Sequence, residues 1–510
     1  MSILQKVSRN VFSNWAALAI NLVISFFLAP FVVNRLGSIY YGIWVIMMQL
    51  TGYIYLLDFG VRESVIRFVS KHDAQRDLTQ VELVINAALR IYGVISLICI
   101  GLGVGLAAAF PLVFNVSPEA VPTAQHVVLI TAVNMAQFFI FNVYVGVLMG
   151  IQRFDVFNKI SIVFTFIRVG LIVLFLYQGY GIVALAYIQL FINAASNLLV
   201  FLKARIHVPA RIRLRIDPTA FKQVVKSLVN YSFFVLLNNI CQKIIFYTDA
   251  LVIGIFLPAA AITYYAIAGN LIEYLRKFVI SMASVFNPLT SELDAHDEPA
   301  KIQNLLIQGG KISILLGLPI CITYFIMGSR FIGIWMGPEF AAPAGEVLMI
   351  LAVTHLFSLP HHTISSIFYG LSRHHIIAYL RVFEAAANLA LSLVLVNRYG
   401  IIGIALGTAI PHIISVVFVL PVLAVQSLGL KLGHYIREVY LGPIAASMLY
   451  AALCYLAETR LQTETLAGFF GIICSLLPFY LAPAWMISFN KEERRWHRSI
   501  IYPLLGIRKT

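Results

Sequence analysis

Charged side chains occur inside otherwise apolar stretches of this chain. A charge at the depth of a bilayer costs at least about 2.5–3.5 kcal/mol, so such residues usually face a bundle interior or a wet cavity. Basic residues outnumber acidic ones there, which suits an anionic ligand, because guanidinium and ammonium groups bind phosphate oxygens well. The basic and amide residues that we predict to bind substrate are Lys243, Arg168, Arg276, Arg90, Lys311, Arg381, Asn238 and Asn270.

Three carboxylates lie at a similar depth and could carry an ion. They are Asp249, Asp58 and Glu273. A carboxylate that is buried in apolar surroundings holds a proton more readily than one in water. We therefore expect that these residues could bind H+ or Na+, and we expect no other cofactor.

Short-range ion pairs offer a structural explanation for part of this set. Glu273 precedes Arg276 by three residues and Lys277 by four, and Arg381 precedes Glu384 by three. Residues at these spacings are neighbours on a helix and can neutralise each other. Function and structural pairing both stay open for these two groups.

Three charges are harder to explain by pairing within one helix. Lys243 and Asp249 are six residues apart, a poor spacing for a pair, and Arg168 has no acidic neighbour in its own stretch. Each of them needs a partner on another element or a wet cavity. We therefore favour a functional role for these three residues.

Other motifs predict little chemistry. The doublets His361-His362 and His374-His375 could suggest a metal, but adjacent side chains on a helix point about 100° apart. The five cysteines lie in apolar stretches without a CxxC pair, as expected of core residues. No Walker, HExxH or GxSxG sequence is present, so we do not expect an enzyme.

The elements that carry the charged residues are predicted membrane spans. The chain has 510 residues, of which 60% are hydrophobic and 11% charged, whereas soluble domains average about 25% charged. A span needs about 20 apolar residues. We predict an all-α polytopic membrane protein with about 14 transmembrane helices, near residues 11–33, 40–61, 83–110, 123–148, 157–177, 182–202, 229–257, 262–287, 305–328, 344–369, 376–396, 401–426, 438–457 and 466–488.

The positions of lysine and arginine predict the orientation. The formal charge is +14, and most basic residues fall in short loops on one side of the predicted spans. The opposite loops hold only Arg35, Arg330, Arg398 and Arg460. The positive-inside rule then places both termini in the cytoplasm. The charge therefore indicates orientation rather than a nucleic-acid partner.

An internal repeat divides the spans into two lobes. Shifting the chain by about 220 residues places Gly150-Ile-Gln-Arg153 on Gly370-Leu-Ser-Arg373. We predict an N-lobe at 1–202 with spans 1–6, a basic cytoplasmic linker at 203–228, a C-lobe at 229–426 with spans 7–12, and a last part at 427–510 with spans 13–14 and a basic tail. A parallel repeat of this kind predicts a substrate site between the lobes and alternating access by rocking.

Motifs in the first two spans resemble a known transporter family. They are NW at 14–15, FLAPFVVNRLG at 27–37, YGIW at 41–44 and LDFG at 57–60. In this order they resemble the polysaccharide-transporter branch of the multidrug/oligosaccharidyl-lipid/polysaccharide flippase superfamily, which includes the O-antigen-type flippases. The resemblance implies a V-shaped fold whose central cavity is lined by spans 1, 2, 7 and 8. In this chain those spans hold Asp58, Lys243, Asp249, Glu273 and Arg276.

The resemblance also implies a function. The protein would move an undecaprenyl-diphosphate-linked oligosaccharide across the bacterial inner membrane, for O-antigen, exopolysaccharide or capsule synthesis. Its partners would be the polyprenyl-diphosphate-linked glycan and the lipid bilayer, with glycan polymerase and chain-length machinery as further partners.

Two other function classes stay open. A cation-coupled multidrug or small-molecule antiporter of the same fold would need acidic groups for cationic drugs, and the basic excess argues against it. A non-transporting scaffold of a glycan-synthesis complex would not need Lys243 and Asp249, so replacing them would leave glycan export intact.

Overall fold

Helices make up all the regular structure of the described chain. The computed structural model describes residues 3–208, 248–461, 463–490 and 493–494, with side chains from residue 23 onward except at positions 63, 74, 288 and 374. The chain divides into two compact units, Met1–Thr263 and Tyr264–Thr510. The all-α prediction is confirmed. The predicted domain bounds stay predictions, since the linker and most of the seventh span lie outside the described residues.

The first unit contains long apolar helices and one short polar helix. The described helices are α1 at Ile3–Ile54, α2 at Val61–Ala74, α3 at Leu78–Val113, α4 at Val121–Gly150, α5 at Phe154–Tyr177, α6 at Ile182–His207 and α7 at 248–256. Helix α8, Ala259–Ala283, begins in this unit and continues into the second.

The second unit repeats this alternation and adds helices at its end. They are α9 at Phe286–Ala295, α10 at Pro299–Trp335, α11 at Pro338–Ser358, α12 at His361–Gly370, α13 at His374–Ile413, α14 at Leu420–Ser427, α15 at Leu432–Ile436, α16 at Gly442–Arg460 and α17 at Leu466–Ser488. Two π-helical turns, Ile414–Val419 and Arg437–Leu441, join α13 to α14 and α15 to α16.

Ten helical segments of the described chain are long and apolar enough to cross a bilayer. Two helices are too long for one crossing, since 52 and 40 residues correspond to about 78 and 60 Å against a hydrocarbon core of about 30 Å. Gly37 and Gly400 break them with φ of 75° and 56°, a region that glycine enters without a Cβ clash. Each break falls between two predicted spans. The total of fourteen stays a prediction.

The same turn follows α4 in the first unit and α12 in the second. Gln152 and Ser372 have φ of 59° and 58°. The next residues, Arg153 and Arg373, each donate a backbone hydrogen bond of 2.8 Å to the carbonyl five positions earlier. Both turns thus end their helices with a left-handed residue and a long-reach hydrogen bond. The sequence repeat is therefore also a repeat of local structure.

The repeated arginine and glycine have matching contacts in both units. Arg153 Nη1 lies 2.5 Å from His207 Nε2 at the end of α6, and Arg373 Nη1 donates to the Ser427 carbonyl at the end of α14, 3.0 Å away. A Cβ on Gly150 would lie 3.0 Å from a carbonyl oxygen of α2, and one on Gly370 would lie 2.7 Å from a carbonyl oxygen of α9. The short helices therefore pack directly on these glycines.

Candidate functional site

A chain of polar side chains links α4, α5 and α6 in the first unit. Arg168 Nη2 donates to Asn193 Oδ1 at 3.1 Å, and Asn193 Nδ2 donates to Asn134 Oδ1 at 3.1 Å. Gln137 Nε2 also donates to Asn134 Oδ1, at 3.0 Å. Three helices thus hold one guanidinium near the middle of the apolar helix α5.

Arg168 is half-buried, and neutral groups alone hold it within the described chain. No carboxylate of the described residues lies within ion-pair distance, and its buried Nε has no hydrogen-bond partner there. A guanidinium has five donors in a planar fork that matches phosphate and carboxylate oxygens. Arg168 therefore keeps donors that an anionic ligand can use, and its role in substrate binding stays a prediction.

Two of the predicted ion-coupling carboxylates are buried in the first unit. Asp58 accepts a hydrogen bond from the Tyr92 hydroxyl of α3. Asp249, on α7, follows Thr248, whose Oγ1 lies 2.5 Å from Tyr53 Oη. Both carboxylates lie next to tyrosine hydroxyls, so each has a polar environment within a largely apolar unit.

A group of titratable side chains in the second unit lies between the two segments of α13 and helices α11 and α12. His412 Nδ1 lies 2.6 Å from Glu384 Oε1, and Arg381 Nη1 lies 3.6 Å from Glu384 Oε2. The Glu384 side chain is only 4% exposed. One buried carboxylate therefore bridges an imidazole and a guanidinium.

Two histidines lie against His412, and a third lies against one of these. The ring of His355, on α11, and the ring of His361, on α12, each lie 5.4 Å from the His412 ring, and His362 lies 3.8 Å from His361 between ring centroids. Nδ1 of His355 and Nδ1 of His361 each bond to a backbone carbonyl, at 2.9 and 2.6 Å. A carbonyl only accepts hydrogen bonds, so both rings carry a proton on Nδ1.

Ion pairs on α8 stand beside this histidine cluster. Arg276 Nη1 lies 2.8 Å from Glu273 Oε2, and Lys277 Nζ lies 3.6 Å from Glu273 Oε1. The pairing predicted from the spacing is confirmed here and at Arg381–Glu384. Arg276 also interacts electrostatically with Arg381 and Glu384, so the guanidiniums of α8 and α13 belong to one charged group.

Lys311 has a different environment from the other predicted substrate residues. Its ammonium is 1% exposed and lies 3.0 Å from Glu493 Oε1 and 3.8 Å from Glu438 Oε2. It also lies over the Phe489 ring, 5.5 Å from the centroid. The buried ammonium is therefore paired with carboxylates that follow α15 and α17, and a role of Lys311 in substrate binding stays a prediction.

The remaining predicted residues are less informative. Arg90 and Asn270 are half-buried, on α3 and α8. Lys243 and Asn238 lie outside the described residues.

His355 and His412 were not predicted from the sequence to belong to this group of histidines. The available signal was the presence of histidines in the tenth and twelfth predicted spans, where a titratable ring is unusual. The structure groups them with the His361-His362 doublet, but the described residues contain no set of three or more His, Cys, Asp or Glu side chains that could hold a metal ion.

Comparison with known proteins identifies the family. Residues 36–344, more than half of the chain, match the family described as polysaccharide biosynthesis protein. The chain belongs to this polysaccharide biosynthesis family. The match confirms the branch that the motifs at 14–60 resemble.

The chain is similar to proteins that are named as a probable flippase and a putative transporter. A probable low-salt glycan biosynthesis flippase, Agl15, of Haloferax volcanii is 26% identical over 208 residues, which are 41% of this chain and 44% of that protein. The match thus spans less than half of that relative. A putative O-antigen transporter of Shigella flexneri is 21% identical over 391 residues, 76% of this chain and 90% of that protein.

A solved structure shares the fold. The lipid II flippase MurJ, in an inward closed conformation, aligns with a TM-score of 0.67 over 96% of this chain and 99% of that chain, at 16% identity. This similarity shows that the chain shares the multi-pass helical fold of that protein.

Proposed function

We propose that this protein is a flippase for a lipid-linked glycan. We further propose that the substrate is an undecaprenyl-diphosphate-linked oligosaccharide, moved across the bacterial inner membrane for polysaccharide synthesis, with both termini of the protein in the cytoplasm. The polysaccharide biosynthesis family and the flippase and O-antigen transporter relatives support the substrate class.

The environment of Arg168 is the structural observation that best supports binding of a diphosphate. Arg168 is a guanidinium in the middle of an apolar helix, and the described residues hold it through amides rather than carboxylates. Holding a cation there is costly, and a diphosphate supplies the oxygens that the spare donors need. We propose that Arg168 binds the diphosphate in the first unit.

The other predicted residues keep proposed roles consistent with their positions. Arg276 and Arg381 are 18% and 20% exposed, and we propose that they bind an anionic group of the substrate in the second unit. Arg90, Asn270, Asn238 and Lys243 remain proposed substrate residues. Asp249, Asp58 and Glu273 remain proposed ion-coupling residues. The glycan polymerase and chain-length machinery remain proposed partners.

The test is the leaflet distribution of lipid-linked glycan in cells that lack this protein. We expect glycan to accumulate in the cytoplasmic leaflet and the intact gene to relieve it. Normal glycan export with altered tolerance to cationic drugs would instead support an antiporter. No change in either property would contradict a required flippase and would support a scaffold.

Variants of Arg168 sharpen this test. We expect Arg168→Ala to lower transport by about tenfold or more, since hydrogen bonds to charged groups contribute about 1.5–3 kcal/mol. Arg168→Lys keeps the charge but loses the planar fork, so we expect an intermediate rate. Arg398→Ala is the matched control, because Arg398 is exposed at the end of a helical segment. Equal transport by Arg168→Ala at equal protein level would remove Arg168 from the site.

A further inference from the structure

The Glu384–His412 pair contains an imidazole nitrogen, His412 Nε2, that can bind a proton. A carboxylate only accepts hydrogen bonds, so the contact of 2.6 Å between Glu384 Oε1 and His412 Nδ1 places a proton on Nδ1. His412 Nε2 is buried and has no hydrogen-bond partner among the described residues. A neutral His412 therefore presents an unprotonated Nε2, and binding of one proton converts the ring to imidazolium.

The groups around His412 carry charges of both signs. The Glu384 carboxylate contacts the ring, and the guanidiniums of Arg381 and Arg276 belong to the same charged group. Glu273 and Lys277 of α8 lie further along the same charged group. His355 of α11 and His361 and His362 of α12 complete the surroundings.

The arrangement has two layers. Glu384 and His412 are 4% and 12% exposed, whereas Arg381 and Arg276 are 20% and 18% exposed. The carboxylate that contacts His412 through one oxygen contacts Arg381 through the other. The charge of the buried imidazole therefore changes how strongly Glu384 neutralises the more exposed guanidinium.

We infer that a proton on His412 and an anionic phosphate group on Arg381 and Arg276 bind cooperatively in the second unit. When His412 is neutral, Glu384 neutralises Arg381, and its negative charge also repels a phosphate. When His412 is protonated, the imidazolium neutralises Glu384, and Arg381 is released to the ligand. Because coupling between two binding sites is reciprocal, a bound phosphate also raises the proton affinity of His412.

This inference deepens the proposed flippase by assigning a proton to the diphosphate of the substrate, and it rests on that proposal for its biological meaning. Proton and anion would bind the same state of the second unit. This differs from an exchange in which a proton displaces the substrate. The physical claim concerns binding alone, so it can be tested without moving a glycan.

The test measures binding of inorganic pyrophosphate to the full-length purified protein at pH 6 and pH 8. We expect wild type to bind at least about fivefold more tightly at pH 6 than His412→Gln does, with the gap closing at pH 8. Glu384→Gln removes the competing carboxylate, so we expect tight binding at both pH values. The two partner residues thus shift affinity in opposite directions, which damage to the fold would not do.

The control is His296→Gln, since His296 is an exposed histidine in the turn between α9 and α10. It should bind pyrophosphate like wild type at both pH values, and the titration of the ligand itself is common to all variants. Equal pH dependence in wild type and His412→Gln, or weaker binding by Glu384→Gln, would overturn the inference. Failure of the leaflet experiment with these binding results intact would overturn the flippase instead.

Discussion

The buried contact between Lys311 and Glu493 predicts a large loss of stability when the carboxylate is removed. Lys311 is 1% exposed in the apolar helix α10, and Glu493 supplies two contacts to its ammonium, at 3.0 and 3.2 Å. Glu493 is itself fixed by the Asn490 backbone N–H at 2.7 Å and by the Gln308 amide. The position of the carboxylate is therefore fixed by contacts other than the one with the lysine.

The magnitude follows from what Glu493→Gln leaves behind. Breaking a buried pair by removing one partner costs about 3–5 kcal/mol, because the remaining charge is uncompensated. Here Glu438 stays 3.8 Å from the ammonium, so we expect the lower value of about 2–3 kcal/mol. In a unit of this size that corresponds to a fall in apparent Tm of roughly 4–12 °C.

The assay is thermal unfolding of the purified protein, with three comparisons. Lys311→Met/Glu493→Gln should recover most of the lost Tm, because an apolar replacement of a buried pair is often neutral. Lys311→Met alone should cost less than Glu493→Gln, since Glu493 is 14% exposed and keeps other donors. Glu298→Gln is the matched control, because it removes a 2.7 Å pair with a lysine that is 65% exposed and such pairs contribute about 0–1 kcal/mol.

Two results would contradict the predicted dependence of Lys311 on Glu493. Wild-type Tm in Glu493→Gln would show that Lys311 does not depend on the carboxylate. A double variant less stable than Glu493→Gln would show that the ammonium is stabilising by itself.

Two more predictions concern stability. Burial raises the pKa of the Glu493 carboxyl, but the Asn490 N–H, Gln308 and Lys311 together hold that pKa below its ordinary value. A depressed carboxyl pKa stabilises the fold at pH values above the unfolded pKa of about 4.3, so the Tm difference between wild type and Glu493→Gln should be full at pH 7 and shrink as the pH falls below about 4.3. A Tm difference that does not depend on pH would contradict this prediction. Gly370→Ala places a Cβ 2.7 Å from the Asn287 carbonyl oxygen, so we expect about 1–3 kcal/mol of destabilisation, measured as a lower Tm, whereas Gly269→Ala, where a Cβ meets nothing within 4 Å, should not lower it.

Local patterns in the sequence predicted the elements and the short-range pairs well. Apolar runs of about 20 residues indicate spans, and the boundaries near Gly37 and Gly400 coincide with backbone breaks. Glu273 and Arg276 are three residues apart, so the helix itself brings them together. The repeated glycines Gly150 and Gly370 also share a similar close approach of a neighbouring helix backbone. These features depend on neighbours along the chain.

Contacts between distant residues could not be predicted in this way. The partner of Lys311 could not be predicted from its neighbours in the sequence, because Glu493 lies 182 residues later. Arg168 needed Asn193 and Asn134 from two other helices to define its environment.

The amino-acid sequence is enough to predict an all-helical membrane protein of a polysaccharide-transporter family with basic charge in its spans. Which of those charges have partners depends on how the helices pack. Glu384 and His412 show the reason: they are 28 residues apart, on two segments that are joined at Gly400, and only the packing of those segments turns two separate titratable groups into one proton-binding pair.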